Sequence, residues 1–148
     1  MIDQNYIWYA GYGSNLSRQR FLCYILGGKP KYGNKKHSGC KNRTLPTENK
    51  PIKIPYILYF ALPSGEKTSN WGKGGVAFIA PEKIEDEKLW TLGRMWKITK
   101  DQYYEIKEQE GTSWYNYELY LGEDGNIPIY TITNKNKCVI FYHHPRDI

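Results

Sequence analysis

The chain has 148 residues, 40% of them hydrophobic and 16% aromatic, with 21 Lys and Arg against 15 Asp and Glu for a net charge of +6. That length fits one domain covering residues 1–148, and the five Trp and 14 Tyr exclude a disordered chain. No apolar stretch is long enough to span a membrane, and no signal-peptide pattern opens the chain, so a cytoplasmic protein is expected.

In chain order, residues 5–10 are an apolar, aromatic run that predicts a first strand buried on both faces. Next comes Gly11-Tyr12-Gly13-Ser14-Asn15-Leu16, then a predicted helix from Leu16 to Leu26. Its apolar stripe pairs Phe21 with Ile25 and Leu22 with Leu26, and Gly27-Gly28 followed by Pro30 stops it. Residues 29–53 read as a long irregular loop. Strands are predicted at Pro55–Leu62, Val76–Ala80 and Leu89–Ile98, the last with Gly93 as a bulge. A polar turn spans Ser64 to Lys73 and a charged loop spans Glu82 to Lys88. Thr99 and Gln102 form a capping box that opens a helix running to about Gln109. Strands follow at Tyr115–Leu121, Ile127–Thr133 and Lys137–Tyr142, with Gly122 to Asn126 as the turn between the first two. Strands outnumber short helices, so the expected class is α+β, built round a small curled sheet or mixed β-barrel with short flanking helices.

The glycine-rich segment is the strongest chemical signal. Glycines let a chain turn sharply after a strand, and the N–H groups of the turn can then hold a carboxylate or phosphate. Three other meanings fail. A dinucleotide fingerprint needs glycine where Leu16 stands. A phosphate loop needs Gly-Lys-Ser/Thr, absent here and in Trp71 to Gly75. A nucleophile elbow needs glycine at Tyr12 and Leu16. The simplest alternative is a tight turn with Ser14 or Asn15 capping the helix.

Cys23, Cys40 and Cys138 are too few and too scattered for a disulfide framework. Of His37, Cys40, Cys138, His143 and His144, only His37 and Cys40 have ligand-like spacing, so no metal is expected. The basic stretch from Lys29 to Lys53 carries no nucleic-acid recognition motif and reads as a solvated loop. Glu110 closes the second helix just before Gly111, where the negative end of the helix disfavours a carboxylate by about 0.3–1 kcal/mol. Burial would add to that effect and make it a better proton acceptor near neutral pH.

Together these blocks resemble the gamma-glutamyl cyclotransferase family. Tyr12 to Leu16 after a strand is similar to its N-terminal signature. Ser69 to Ala77 is similar to its Trp-x-Gly-Gly segment, with Lys73 as an extra residue. Gly93 to Ile98 followed by Glu108-Gln109-Glu110-Gly111 is similar to its strand–helix–Glu-Gly block. Position 11 carries Gly where the family more often has Ala, a change expected to loosen the loop. The chain stops at Pro145–Ile148, short of the turn and helix with which the family continues.

The resemblance implies a small barrel and a reaction in which a gamma-glutamyl group cyclises to 5-oxoproline and releases an amine, with no cofactor or metal. Glu110 would be the general base. Gly11, Tyr12, Gly13, Ser14, Asn15 and Leu16 would form the substrate loop, the backbone of Gly13 to Leu16 holding a carboxylate or oxyanion. Tyr117 falls at the family's pocket tyrosine, with Tyr115 close enough to compete. The implied partner is a small gamma-glutamyl compound, with nucleic acid and membrane not expected. A non-catalytic binding module on the same fold is the alternative.

Overall fold

The computed structural model describes residues 5–29, 36–62, 76–111, 114–135 and 139–142. The expected turn at Ser64–Lys73, the Trp71–Gly75 run, Cys138, His143, His144 and the chain end lie outside these residues. The class is α+β.

The first strand, β1 (Tyr6–Tyr12), sits in the middle of a five-stranded sheet. It pairs antiparallel with β5 (Thr91–Thr99), from Tyr6 opposite Thr99 to Tyr12 opposite Gly93. On its other edge it runs parallel to β7 (Ile127–Thr133), Tyr9 opposite Tyr130. The outer strands are β2 (Asn49–Ile54) against β5 and β6 (Tyr117–Asp124) against β7. A second sheet has β3 (Leu58–Leu62) between β4 (Val76–Ile79) and β8 (Val139–Tyr142).

Because strand side chains alternate, β1 serves two cores. Ile7 and Tyr9 face a cluster with Phe21, Tyr24, Ile25, Trp96, Tyr103 and Ile106, which the two helices cover. Phe21 stacks on Trp96 with centroids 4.2 Å apart and planes 4° from parallel, a contact worth about 0.5–1.5 kcal/mol beyond its buried area. Trp8, Ala10 and Tyr12 face the opposite cluster of Ile54, Ile79, Met95, Leu119 and Ile129.

The helices are α1 (Arg18–Leu26) and α2 (Lys100–Glu110). The capping box forms at the start of α2, with Gln102 N–H donating to Thr99 Oγ1 and Thr99 N–H to Gln102 Oε1. In α1 the buried stripe is Phe21, Tyr24 and Ile25, while Leu26 is exposed. Its cap is Ser17, which accepts from Arg20 N–H, rather than Ser14 or Asn15.

Four expectations need correction. No closed barrel is formed by the described strands: neither sheet closes on itself, and where β7 nears β4 a side chain makes hydrogen bonds to the backbone. Thr133 Oγ1 donates to the Ile79 carbonyl at 2.6 Å and accepts the Ile79 N–H at 3.1 Å. Residues 49–53, the end of the supposed loop, belong to an edge strand, where Pro51 and Lys53 are exposed in the manner that keeps edges from pairing further. Gly93 is no bulge; it pairs with both Tyr12 and Ile52, and a Cβ there would come 2.8 Å from the Gly11 carbonyl oxygen. The hairpin turn narrows to Gly125-Asn126, both at positive φ, the geometry of a two-residue turn matching the twist of its strands.

The described part of the basic segment wraps the helices. Arg43 donates to the Leu26 carbonyl at the end of α1, where the helix dipole favours a cation. Lys50 pairs with Asp124 at 2.8 Å and covers the Trp8 ring. No helix among the described residues is long and apolar enough to cross a membrane.

Candidate functional site

β1 ends at Tyr12 and passes straight into a 3-10 turn, Gly13–Leu16, before α1. Gly13 has φ +61°, and a Cβ there would lie 2.8 Å from the Ala77 Cβ of β4. Only glycine satisfies both the backbone sign and the close approach. At Gly11 a Cβ would meet Asn15 Cβ at 2.9 Å and the Asn15 carbonyl oxygen at 3.0 Å. Glycine there therefore lets the turn fold tightly back on the strand, the reverse of the expected loosening.

The turn forms one wall of a cavity of about 250 Å³. That is below the ~300–1,000 Å³ usual for drug-sized ligands and suits something the size of an amino acid conjugate. Tyr12, Ser14 and Asn15 line it from the turn, Phe60, Val76 and Ala77 from the small sheet, and Arg20 and Tyr24 from α1. Glu110 lines it from the last residue of α2, and Tyr9, Tyr115 and Ile132 complete the wall.

Glu110 is 7% exposed. The Tyr9 hydroxyl donates to its Oε1. Asn15 Nδ2 lies 3.4 Å from the Tyr9 hydroxyl oxygen and 3.5 Å from that of Tyr24. Burial first, then the neighbouring Glu110 charge, holds Tyr9, Tyr12 and Tyr24 well above the usual tyrosine range, so all three remain protonated donors. Burial pulls the Arg20 guanidinium down from its ordinary value. The cavity thus sets one carboxylate and one guanidinium among hydroxyls and an amide, a lining that complements a zwitterion.

Of the residues singled out from the sequence, Glu110, Tyr12, Ser14 and Asn15 line this cavity. Gly11 and Gly13 shape the turn, and Leu16 is exposed. Tyr117 stands at the start of edge strand β6, 36% exposed, whereas Tyr115 lines the cavity and donates to the Ala77 carbonyl. Tyr9, Arg20 and Tyr24 were not singled out. Arg20 and Tyr24 are four apart on α1, a spacing that puts them on one helix face. Tyr9 reads as one more core aromatic, and only the fold brings Glu110 to its hydroxyl.

His37 and Cys40 belong to the packing of the helices. His37 lies against the Tyr24 ring at 4.5 Å, and the Cys40 thiol donates to the Tyr24 carbonyl. Among the described residues no group of three or more His, Cys, Asp and Glu is arranged to hold a metal ion.

No protein-family model matches the chain, and no solved structure matches it. Histone deacetylase 5 of Arabidopsis thaliana is similar, 30% identical over 86% of this chain. The matched stretch is 23% of that protein, so the chain spans under a quarter of the relative's length.

Proposed function

We propose that the chain is a gamma-glutamyl cyclotransferase-like enzyme, its two sheets forming an opened version of that small barrel. The observation that carries this reading is Glu110, a buried carboxylate set at the end of α2 in one cavity with the Gly-Ser-Asn turn. Glu110 takes a proton from the α-ammonium of the glutamyl part. The freed amine attacks the γ-carbonyl carbon, closing a five-membered ring and placing negative charge on the carbonyl oxygen. The bond to the leaving nitrogen then breaks. Both protons lost by the α-nitrogen end on the leaving nitrogen, the first carried by Glu110. Backbone N–H groups at the start of the 3-10 turn hold the α-carboxylate or the oxyanion. Ring closure is intramolecular, so folding the substrate supplies much of the rate.

The experiment is release of 5-oxoproline from gamma-glutamyl amines, amino acids and peptides by the wild-type protein and by Glu110→Gln. Turnover by the first and its loss in the second is the expected result; equal turnover removes Glu110 from its role.

A second reading is a binding module on the same fold. The match to only a quarter of a longer protein favours it, since such a unit can be joined to a larger chain. The deacetylase name of that relative is not carried over, because the matched portion is too small to bring an activity with it. Saturable binding of a gamma-glutamyl compound without product would decide for this reading.

A further inference from the structure

Glu110 is held by a short chain of side chains that starts in the glycine-rich turn. Asn15 Nδ2 points at the Tyr9 hydroxyl oxygen, and the Tyr9 hydroxyl donates to Glu110 Oε1. A phenol has one proton to give and lone pairs to receive. With the Asn15 amide on its oxygen, the Tyr9 proton is directed onto the carboxylate. The ring itself is fixed, stacked on Phe21 at 5.7 Å and tilted against Tyr103 at 6.2 Å.

We propose that Tyr9 is a positioning residue for Glu110: its hydroxyl, aimed by Asn15, fixes one carboxylate oxygen and stabilises the ionised form that accepts the proton. The inference rests on the reading of Glu110 as a proton acceptor. Three neighbouring tyrosine hydroxyls donate elsewhere. Tyr12 donates to the Ile132 carbonyl, Tyr115 to the Ala77 carbonyl and Tyr103, from the same helix, to Glu118. Tyr24 meets the Asn15 amide. Arg20 lines the same cavity and is the same residue in every variant compared. Tyr9 stays protonated because burial and the adjacent carboxylate both disfavour the phenolate.

The test is Tyr9→Phe, which keeps the stacked ring and removes only the hydroxyl. The protein is labelled with 13C at the glutamate carboxyl, and the Glu110 signal is assigned by its loss in Glu110→Gln. The titration midpoint of that carboxyl is expected to rise by about one to two pH units, as loss of one hydrogen bond to a charged group predicts. In turnover the acid limb of the pH profile moves up by the same amount, and above that limb kcat falls about 10-fold with KM unchanged because the lost positioning of the carboxylate outweighs its greater basicity. An unmoved midpoint in folded Tyr9→Phe overturns the proposal. If Tyr9→Phe does not fold, Asn15→Ala removes the bond that aims the hydroxyl and must move the midpoint the same way by a smaller step; no movement is again fatal. Absence of 5-oxoproline release by the wild type overturns the functional reading instead, and the NMR midpoint still decides whether Tyr9 positions Glu110.

Discussion

The two ends of α2 both bury polar side chains, and they bury them differently. At the N-terminal end, Gln102 sends its amide N–H groups to the Asn42 and Thr44 carbonyls and takes the Thr99 N–H on its oxygen. At the C-terminal end, Gln109 does the same, donating to the Tyr24 carbonyl and accepting from Gly39 N–H. Both neutral amides fasten neighbouring backbone to the helix, Gln102 that of a loop and Gln109 that of α1 and Gly39. Glu110, one residue further on, meets the Tyr9 side chain and opens on the cavity. A charge buried at a helix C-terminus, where the helix dipole opposes it, is poor structural material. The difference separates what holds this fold from what it is built to present.

Replacing the presenting residue should therefore change chemistry and leave the fold standing. Glu110→Gln keeps the volume and a hydrogen-bonding end, so the thermal midpoint should move by only a few degrees. Release of 5-oxoproline should fall by about 10²–10⁴-fold, the contribution of a positioned proton acceptor. A large loss of stability with activity retained would reverse the assignment of the two ends.

The holding end should show the opposite pattern. Gln102→Ala removes two hydrogen bonds to loop carbonyls and breaks the capping box, a loss of about 1–3 kcal/mol in denaturant unfolding. Turnover below the unfolding transition should be unchanged. Thr99→Ala removes only the cap acceptor for Gln102 N–H and should lose about 1 kcal/mol. Equal losses in the two variants would mean that the carbonyl contacts to Asn42 and Thr44 contribute nothing.

The same contrast marks what could be read from the sequence. The capping box at Thr99 and Gln102, the β7 strand and the double burial of β1 depend on local pattern, and each is written in consecutive residues. Strand β2 was hidden because Asn49, Lys50, Pro51 and Lys53 give it the composition of a loop; Ile52 and Ile54 are its two apolar inward residues, and its pairing with β5 is settled by residues about 40 positions away. The barrel expectation failed at a seam made by Thr133 and Ile79, where one hydroxyl replaces a ladder. In the cavity, Glu110 and the turn could be named from sequence, and Tyr9 could not. Its hydroxyl finds the carboxylate 101 residues later, and no local pattern distinguishes it from Tyr6 or Trp8.

Near neutral pH the smallest effect belongs to Cys40, which packs against the helix with its thiol on the Tyr24 and Gln102 carbonyls. Burial, then the nearby Glu105 carboxylate, pushes this thiol up to about 12. An unfolded cysteine ionises near ~8.5, so the folded state disfavours the thiolate. The stability from this group is fully present below about pH 8.5 and is lost as pH rises toward 12. Denaturant midpoints measured from pH 8 to 11 should therefore fall less steeply in Cys40→Ala than in the wild type. Half-buried Cys23 should also alkylate well before Cys40 in the native protein at pH 8. Rapid labelling of Cys40 would mean that the backbone fastened by Gln102 and Gln109 opens readily, and that α2 holds less than its hydrogen bonds imply.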